Sequence, residues 1–100
     1  MTIKQLIALF LDGAEDGYTG SKSIPGNLKI KGDYLIHYYT VIAQRREGAE
    51  MIVNLSQYSI QTGNVQKKLK EALAGQNYVV AKKVPKDYCG DLSIYILNRT

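Results

Sequence analysis

Tryptophan is missing from this chain of 100 residues, and cysteine, histidine and phenylalanine occur once each, as Cys89, His37 and Phe10. A single cysteine excludes an internal disulfide framework and a cysteine-rich zinc site, and it fits a reducing compartment. One histidine and one cysteine do not make the common protein-only zinc sets. Nucleophilic catalysis needs a nucleophile, a base and a group that holds the base. His37 lies between apolar neighbours and reads as a packed sheet histidine. Cys89 sits in Tyr88-Cys89-Gly90-Asp91, where no neighbouring motif marks an activated thiolate. Carboxylates are sparse as well. Asp12, Glu15 and Asp16 cluster behind the first helical run, but their spacing matches no EF-hand loop and reads as a solvated turn. The sequence therefore predicts no catalytic residue, no metal and no cofactor.

Long apolar runs are absent too. Leu6 to Leu11 is too short to cross a bilayer, and Asp12-Gly13-Ala14-Glu15-Asp16 behind it lacks the character of a signal-peptide cleavage region. The expectation is a soluble cytoplasmic protein without membrane contact.

What is present is ordinary in amount and unusual in kind. Apolar residues make up 45% and charged residues 22%, the balance of a globular chain. Of nine aromatic residues, eight are tyrosine. Its apolar ring and polar tip suit both half-buried sheet faces and contact surfaces. The net charge of +4 and a pI near 9.2 favour an anionic partner, such as nucleic acid, a nucleotide or an acidic protein face.

Periodicity predicts one α+β domain over residues 1–100: a helix, a three-stranded antiparallel meander, a second helix and a C-terminal β-hairpin. Thr2 and Gln5 have capping-box spacing, and Ile3, Leu6, Ile7, Phe10 and Leu11 form one apolar stripe. Gly17 to Gly26 reads as a loop. It is not a phosphate-cradling P-loop, because Ser21 separates Gly20 from Lys22, although Ser21, Lys22 and Ser23 could contact an anion. The expected strands are Asn27–Lys31, a long central strand Tyr34–Arg45, and Glu50–Asn54. Thr62 is the expected cap of a helix carrying Val65, Leu69, Ala72 and Leu73 on one face. Gly75 stops it, and Glu71 can pair with Lys67. Asn77–Val84 and Leu92–Leu97 are the expected hairpin, and an edge strand beginning at Leu92 would support a homodimer.

Candidate binding residues follow from charge and tyrosine. Lys29 and Lys31 project from the first strand, Arg45 and Arg46 end the second, Lys67, Lys68 and Lys70 line the helix, and Lys82, Lys83 and Lys86 follow the fourth strand. If they converge, they form a phosphate-tracking surface with Tyr38 and Tyr39 as stacking platforms.

The run Gly26-Asn27-Leu28-Lys29-Ile30-Lys31-Gly32-Asp33-Tyr34-Leu35, followed by Tyr38-x-Thr40-x-Ile42-Ala43-x-Arg45, Asn54, Tyr58-Ser59-Ile60-Gln61-Thr62 and Gln66, resembles a group of small uncharacterised bacteriophage and mobile-element proteins. The likeness covers Gly26 to Gln66, about half the chain. It implies a phage context and no particular chemistry. By analogy, small phage proteins of this kind act by stoichiometric binding, including antagonism of host defence nucleases or sequestration of nucleotide signals. The leading expectation is thus a non-enzymatic binding protein of that type. The alternative is a small basic protein that binds DNA or RNA directly. An enzyme would require Cys89, His37 or the acidic cluster to meet in a cleft.

Overall fold

The computed structural model describes residues 1–21, 23 and 25–96. Elements follow in the order α1 (Ile3–Leu11), β1 (Asp16–Gly20), β2 (Pro25–Lys31), β3 (Tyr34–His37), β4 (Thr40–Arg46), β5 (Ala49–Asn54), α2 (Ile60–Ala72), β6 (Tyr78–Ala81) and a 3-10 helical turn at Leu92–Tyr95. The class is α+β, as expected. Six strands form one mixed sheet in chain order. Strands β1 to β5 are antiparallel neighbours, and β6 lies parallel to β5. A parallel pair needs a long crossover, and α2 supplies it.

Local signals set both helices. Thr2 Oγ1 accepts the Gln5 N–H at 3.2 Å while Gln5 Oε1 accepts the Thr2 N–H at 2.8 Å, so the expected capping box closes. Leu6, Ile7 and Phe10 form the buried stripe of α1. Helix α2 starts earlier than the Thr62 cap would place it. Ser59 is the cap, and its Oγ accepts the Thr62 N–H at 3.3 Å. Both residue types cap well; the earlier start adds a turn and brings the Thr62 side chain inward, where it is buried. At the far end the chain turns at Gly75, whose φ of +84° suits glycine.

Each helix buries its stripe on the same sheet face. Leu6, Ile7 and Phe10 of α1 and Val65, Leu69 and Leu73 around α2 pack on Leu28, Ile30, Leu35, Ile42, Ala43 and Val53. The other face carries Ile36, Val41, Ile52 and Ala81, covered by Val84 and Leu92 with Tyr88 and Tyr95 alongside. The C-terminal segment is therefore a lid on the second face.

Three expectations fail, each for a local reason. The long central strand Tyr34–Arg45 is a hairpin. His37 pairs with Thr40, and Tyr38-Tyr39 is the turn. Alternation runs unbroken through these residues because tyrosine is a strand former, and no glycine or asparagine marks the bend. A register shift at Leu35/Ile36 then breaks the two-face pattern expected of that run. Second, the Gly17–Gly26 loop takes in most of strand β1 and the start of β2, so that with the split central strand the meander has five strands instead of three. The β1–β2 approach is close: a Cβ at Gly26 would stand 2.1 Å from Thr19 Oγ1. Third, the C-terminal hairpin is absent. Strand β6 pairs in parallel with β5, and Asp91 Oδ1 accepts the Ser93 N–H at 2.9 Å, starting a 3-10 turn where a strand was expected. One antiparallel bridge, Ala81 to Ile96, stands in the hairpin's place, and Leu97 lies outside the described residues. The edge strand at Leu92 that would have paired two copies is consequently not formed.

Candidate functional site

One end of the sheet gathers four segments: the β3–β4 turn, the β5–α2 loop, the opening turn of α2, and the stretch Val84–Asp87 after β6. Between them lies a cleft of about 750 Å³, within the roughly 300–1,000 Å³ typical of small-molecule sites. Its rim and walls are mostly polar and aromatic. Tyr38, Tyr39 and Tyr58 line it with Gln57, Gln61, Ser59, Lys86 and Asp87, and among the described residues Val84 is the sole aliphatic contributor.

The hairpin turn sets the aromatic side. Two-residue hairpin loops favour φ above zero at their first position, where glycine is the easy choice. Here Tyr38 takes it at φ +57°. That conformation costs a non-glycine residue about 1–3 kcal/mol, and surrounding bonds must hold it. They do: Asn27 Nδ2 donates to the Tyr38 hydroxyl at 3.0 Å, and the hydroxyl donates to Gln61 Oε1 at 2.7 Å. The Tyr38 side chain thereby ties β2 to α2. Tyr39, at the second position, projects outward and is 70% exposed.

Behind the turn sits His37. Its ring meets Tyr38 edge-on at 4.6 Å, and Nδ1 lies 2.9 Å from Thr62 Oγ1. Thr62 Oγ1 is in turn 3.3 Å from Ser59 Oγ. Every buried side-chain nitrogen and oxygen among the described residues has a partner, so His37 Nε2, which has none, keeps contact with solvent. Burial holds the imidazole below its ordinary value of 6.5. The unfolded chain then binds the extra proton first as pH falls, so this group's stabilisation is complete above about pH 6.5 and is lost as pH drops toward the folded-state value. Urea midpoints measured from pH 7.5 to 5 should fall, and His37→Gln should flatten that slope. A slope that survives the substitution would assign it to another group. Asp91, lowered by the Ser93 amide, the Gln44 side chain and the Ser93 hydroxyl, acts only below its ordinary 3.8 and lies outside this window.

The floor is a buried polar network. Asn54 Nδ2 donates to Val41 O and to the Tyr58 hydroxyl, both at 3.0 Å, and Asn54 Oδ1 accepts the Ser56 N–H at 3.0 Å. Tyr58 donates onward to Val84 O at 2.7 Å. Gln66 Nε2 reaches Asn54 O and Ser56 O, and Ser56 Oγ accepts the Val84 N–H. Thr40 Oγ1 accepts the Asp87 N–H at 2.8 Å. These bonds fix the β5–α2 loop and the Val84–Asp87 stretch against the hairpin. Charge within the cleft is nearly balanced, with Lys86 beside Asp87 and a neutral imidazole. The opening turn of α2 contains no acidic side chain, leaving the positive end of that helix uncompensated.

The sequence-derived binding residues divide sharply. Tyr38 and Tyr39 reach the cleft, as does Lys86. Ser21 and Ser23 are exposed between β1 and β2, and Lys22 lies outside the described residues. Lys29 and Lys31 alternate with Leu28 and Ile30, so they project from the sheet face opposite the helices. Lys67 and Lys70 are exposed on α2, on the helical layer, and Lys68 is half-buried beside α1. Lys82 and Lys83 are exposed beyond β6. Arg46 Nε donates to Glu50 O at 2.8 Å. Arg45 is committed to the fold, donating to Phe10 O and Gly32 O with its guanidinium 4.5 Å from the Phe10 ring centre. The expected Lys67–Glu71 ion pair does not form; among the described residues the ion pair is Arg45–Asp33. The cations are thus spread over both layers and do not form one stripe.

Gln57, Tyr58, Ser59, Gln61, Thr62 and Asp87 were not among the sequence-derived candidates. A signal existed for several of them. The pattern Tyr38, Thr40, Asn54, Tyr58, Ser59, Thr62 and Gln66 reads as scattered polar positions along the chain, yet all seven line this cleft or form its floor. Among the described residues no helix is long and apolar enough to cross a membrane, and no cluster of His, Cys, Asp or Glu is placed to hold a metal ion. Compared with protein-family models, with curated proteins and with solved structures, the chain matches none.

Proposed function

We propose that this is a non-enzymatic, phage-type accessory protein that acts by stoichiometric binding, with the tyrosine-lined cleft as its contact site and a host defence component, a nuclease complex or a nucleotide signal, as its target. The observation that carries this reading is Tyr39, a large aromatic held open to water at the tip of a turn whose other residue, Tyr38, adopts a costly conformation. Exposed, rigidly presented tyrosines are typical contact residues, since they offer area at little entropic cost. The groups around it support binding over turnover: Tyr58, Thr40 and Thr62 are engaged in bonds that shape the cleft. Homodimerisation belongs to the same proposal and would use the outer edge of β1, because β6 is already bridged by Ile96 at Ala81. Direct binding to DNA or RNA is less well supported, since the lysines occupy separate faces.

The test pairs two measurements. Capture from infected or defence-bearing cells should recover one saturable partner with the native protein and lose it with Tyr39→Ala. Random single- and double-stranded oligonucleotides should bind only at low salt, because scattered lysines give charge attraction without a tracking groove. Oligonucleotide binding that survives physiological salt, with no other partner, would replace this reading with the nucleic-acid one.

A further inference from the structure

Resting on that reading of the cleft as a binding site, the geometry points to its ligand class: we infer that it takes a nucleoside phosphate, with the base on Tyr39 and the phosphate on Lys86. Three observations narrow the chemistry. The walls are aromatic and amide-bearing with, among the described residues, one aliphatic side chain, Val84, which suits a planar polar ring and not the apolar face of a partner helix. Among the described residues a single cation lines the cleft, Lys86, and Asp87 follows it in the chain. A polynucleotide needs cations repeated along a groove; this arrangement serves one phosphate group. The cleft also presents polar groups with nothing to bind. Among the described residues the exposed Gln57 side chain has no hydrogen-bond partner, and Gln61 uses its Oε1 on Tyr38 while its amide hydrogens have none.

A carboxamide offers a donor and an acceptor side by side, matching the edge of a nucleobase, and tyrosine offers the face on which that base stacks. Tyr39 is the open ring, and Tyr38 and Tyr58 are pinned by their hydroxyls. The division of labour is therefore specific. Tyr39 contributes stacking, Gln57 and the Gln61 amide read the base edge, and Lys86 contributes charge. Asp87, whose backbone N–H is held by Thr40, lines the same cleft, and its negative charge disfavours a second or third phosphate. The expected order of affinity is nucleoside monophosphate above triphosphate.

Isothermal titration and NMR shift mapping of the full chain with adenosine and guanosine 5′-monophosphates, their nucleosides, ribose 5-phosphate and inorganic phosphate will decide it. The expected result is binding of the nucleotides, with shifts at Tyr39 and Gln57, and none with ribose 5-phosphate or phosphate. Tyr39→Ala, at an exposed position where folding should persist, should weaken binding about tenfold or more. Lys86→Ala should weaken the monophosphates toward the affinity of the nucleosides and reduce their salt dependence. No nucleotide shift up to millimolar concentration overturns the inference, as does a shift indifferent to Tyr39→Ala. If nucleotides fail while a captured protein partner still depends on Tyr39, the ligand class is wrong and the cleft remains the contact site. If nothing depends on Tyr39, both readings fall.

Discussion

Asn54→Ala should cost about 3 kcal/mol of folding stability, the cost of orphaning several buried hydrogen-bonding groups at once. Asn54 is fully buried, and its carboxamide joins the end of β5 to two segments: β4 through the Val41 carbonyl, and the β5–α2 loop through the Tyr58 hydroxyl and the Ser56 N–H. Truncation leaves the Val41 carbonyl and the Ser56 N–H without these partners in a space too confined for easy repair. Urea unfolding should show a lower midpoint with an unchanged denaturant slope, the sign of lost stability without a change in exposed surface. Thermal melting should drop by more than about 10 °C for a domain of this size. Asn54→Asp is the sharper variant. It keeps an acceptor for Ser56 but loses both donated bonds and buries a carboxylate, so at neutral pH it should be at least as damaging. A loss below about 1 kcal/mol in Asn54→Ala would mean that the loop is held by apolar packing alone.

The same residue shows what was legible in the sequence. Asn54 could be read as a strand-end residue, and a strand does end there. Two of its three bonds are local, to Ser56 and Tyr58, and the third crosses to Val41 in the neighbouring strand; what could not be read is the onward bond from Tyr58 to Val84, which depends on the parallel β5–β6 pair. Nothing local distinguishes that pair from the antiparallel hairpin expected of Asn77–Leu97. Helices were clearer, since capping and apolar stripes act over a few residues: the Thr2–Gln5 box and the Gly75 stop were both evident. The hairpin within Tyr34–Arg45 was hidden because its turn is made of two strand-forming tyrosines. Tertiary bonds from Asn27 and Gln61 hold Tyr38 where propensity would have placed glycine. The site was hidden for the same reason. Net charge points to the lysines, which scatter over both layers. The cleft depended on residues far apart in the chain and on a turn conformation that propensity argues against. In the sequence Tyr38 and Tyr39 read as stacking residues of a strand; they stand instead at its break, which is what opens Tyr39 to solvent.

Arg45→Ala should lower stability by about 2–3 kcal/mol while leaving the cleft's binding unchanged, after correction for the folded fraction. Arg45 was a candidate contact for phosphate. Its position makes it a structural cation. Helix α1 has no basic residue in its last turn, and Arg45 supplies one from β4, donating to the Phe10 carbonyl at 2.7 Å. The same guanidinium reaches Gly32 O and lies 4.5 Å from the Phe10 ring centre, so it clamps the β2–β3 turn to the end of the helix. Removing it takes two charge-assisted bonds and the favourable charge at the helix terminus together. Arg45→Lys should recover only part of the loss, because one ammonium cannot reproduce the planar fork that spans both carbonyls. Asp33→Ala is the internal control. Its carboxylate is 3.7 Å away and its side chain 71% exposed, so the substitution should stay within about 0.5 kcal/mol of the native protein. If Arg45→Ala instead unfolded normally and abolished binding, Arg45 would have to leave the helix end to meet its ligand, and the clamp would be wrong.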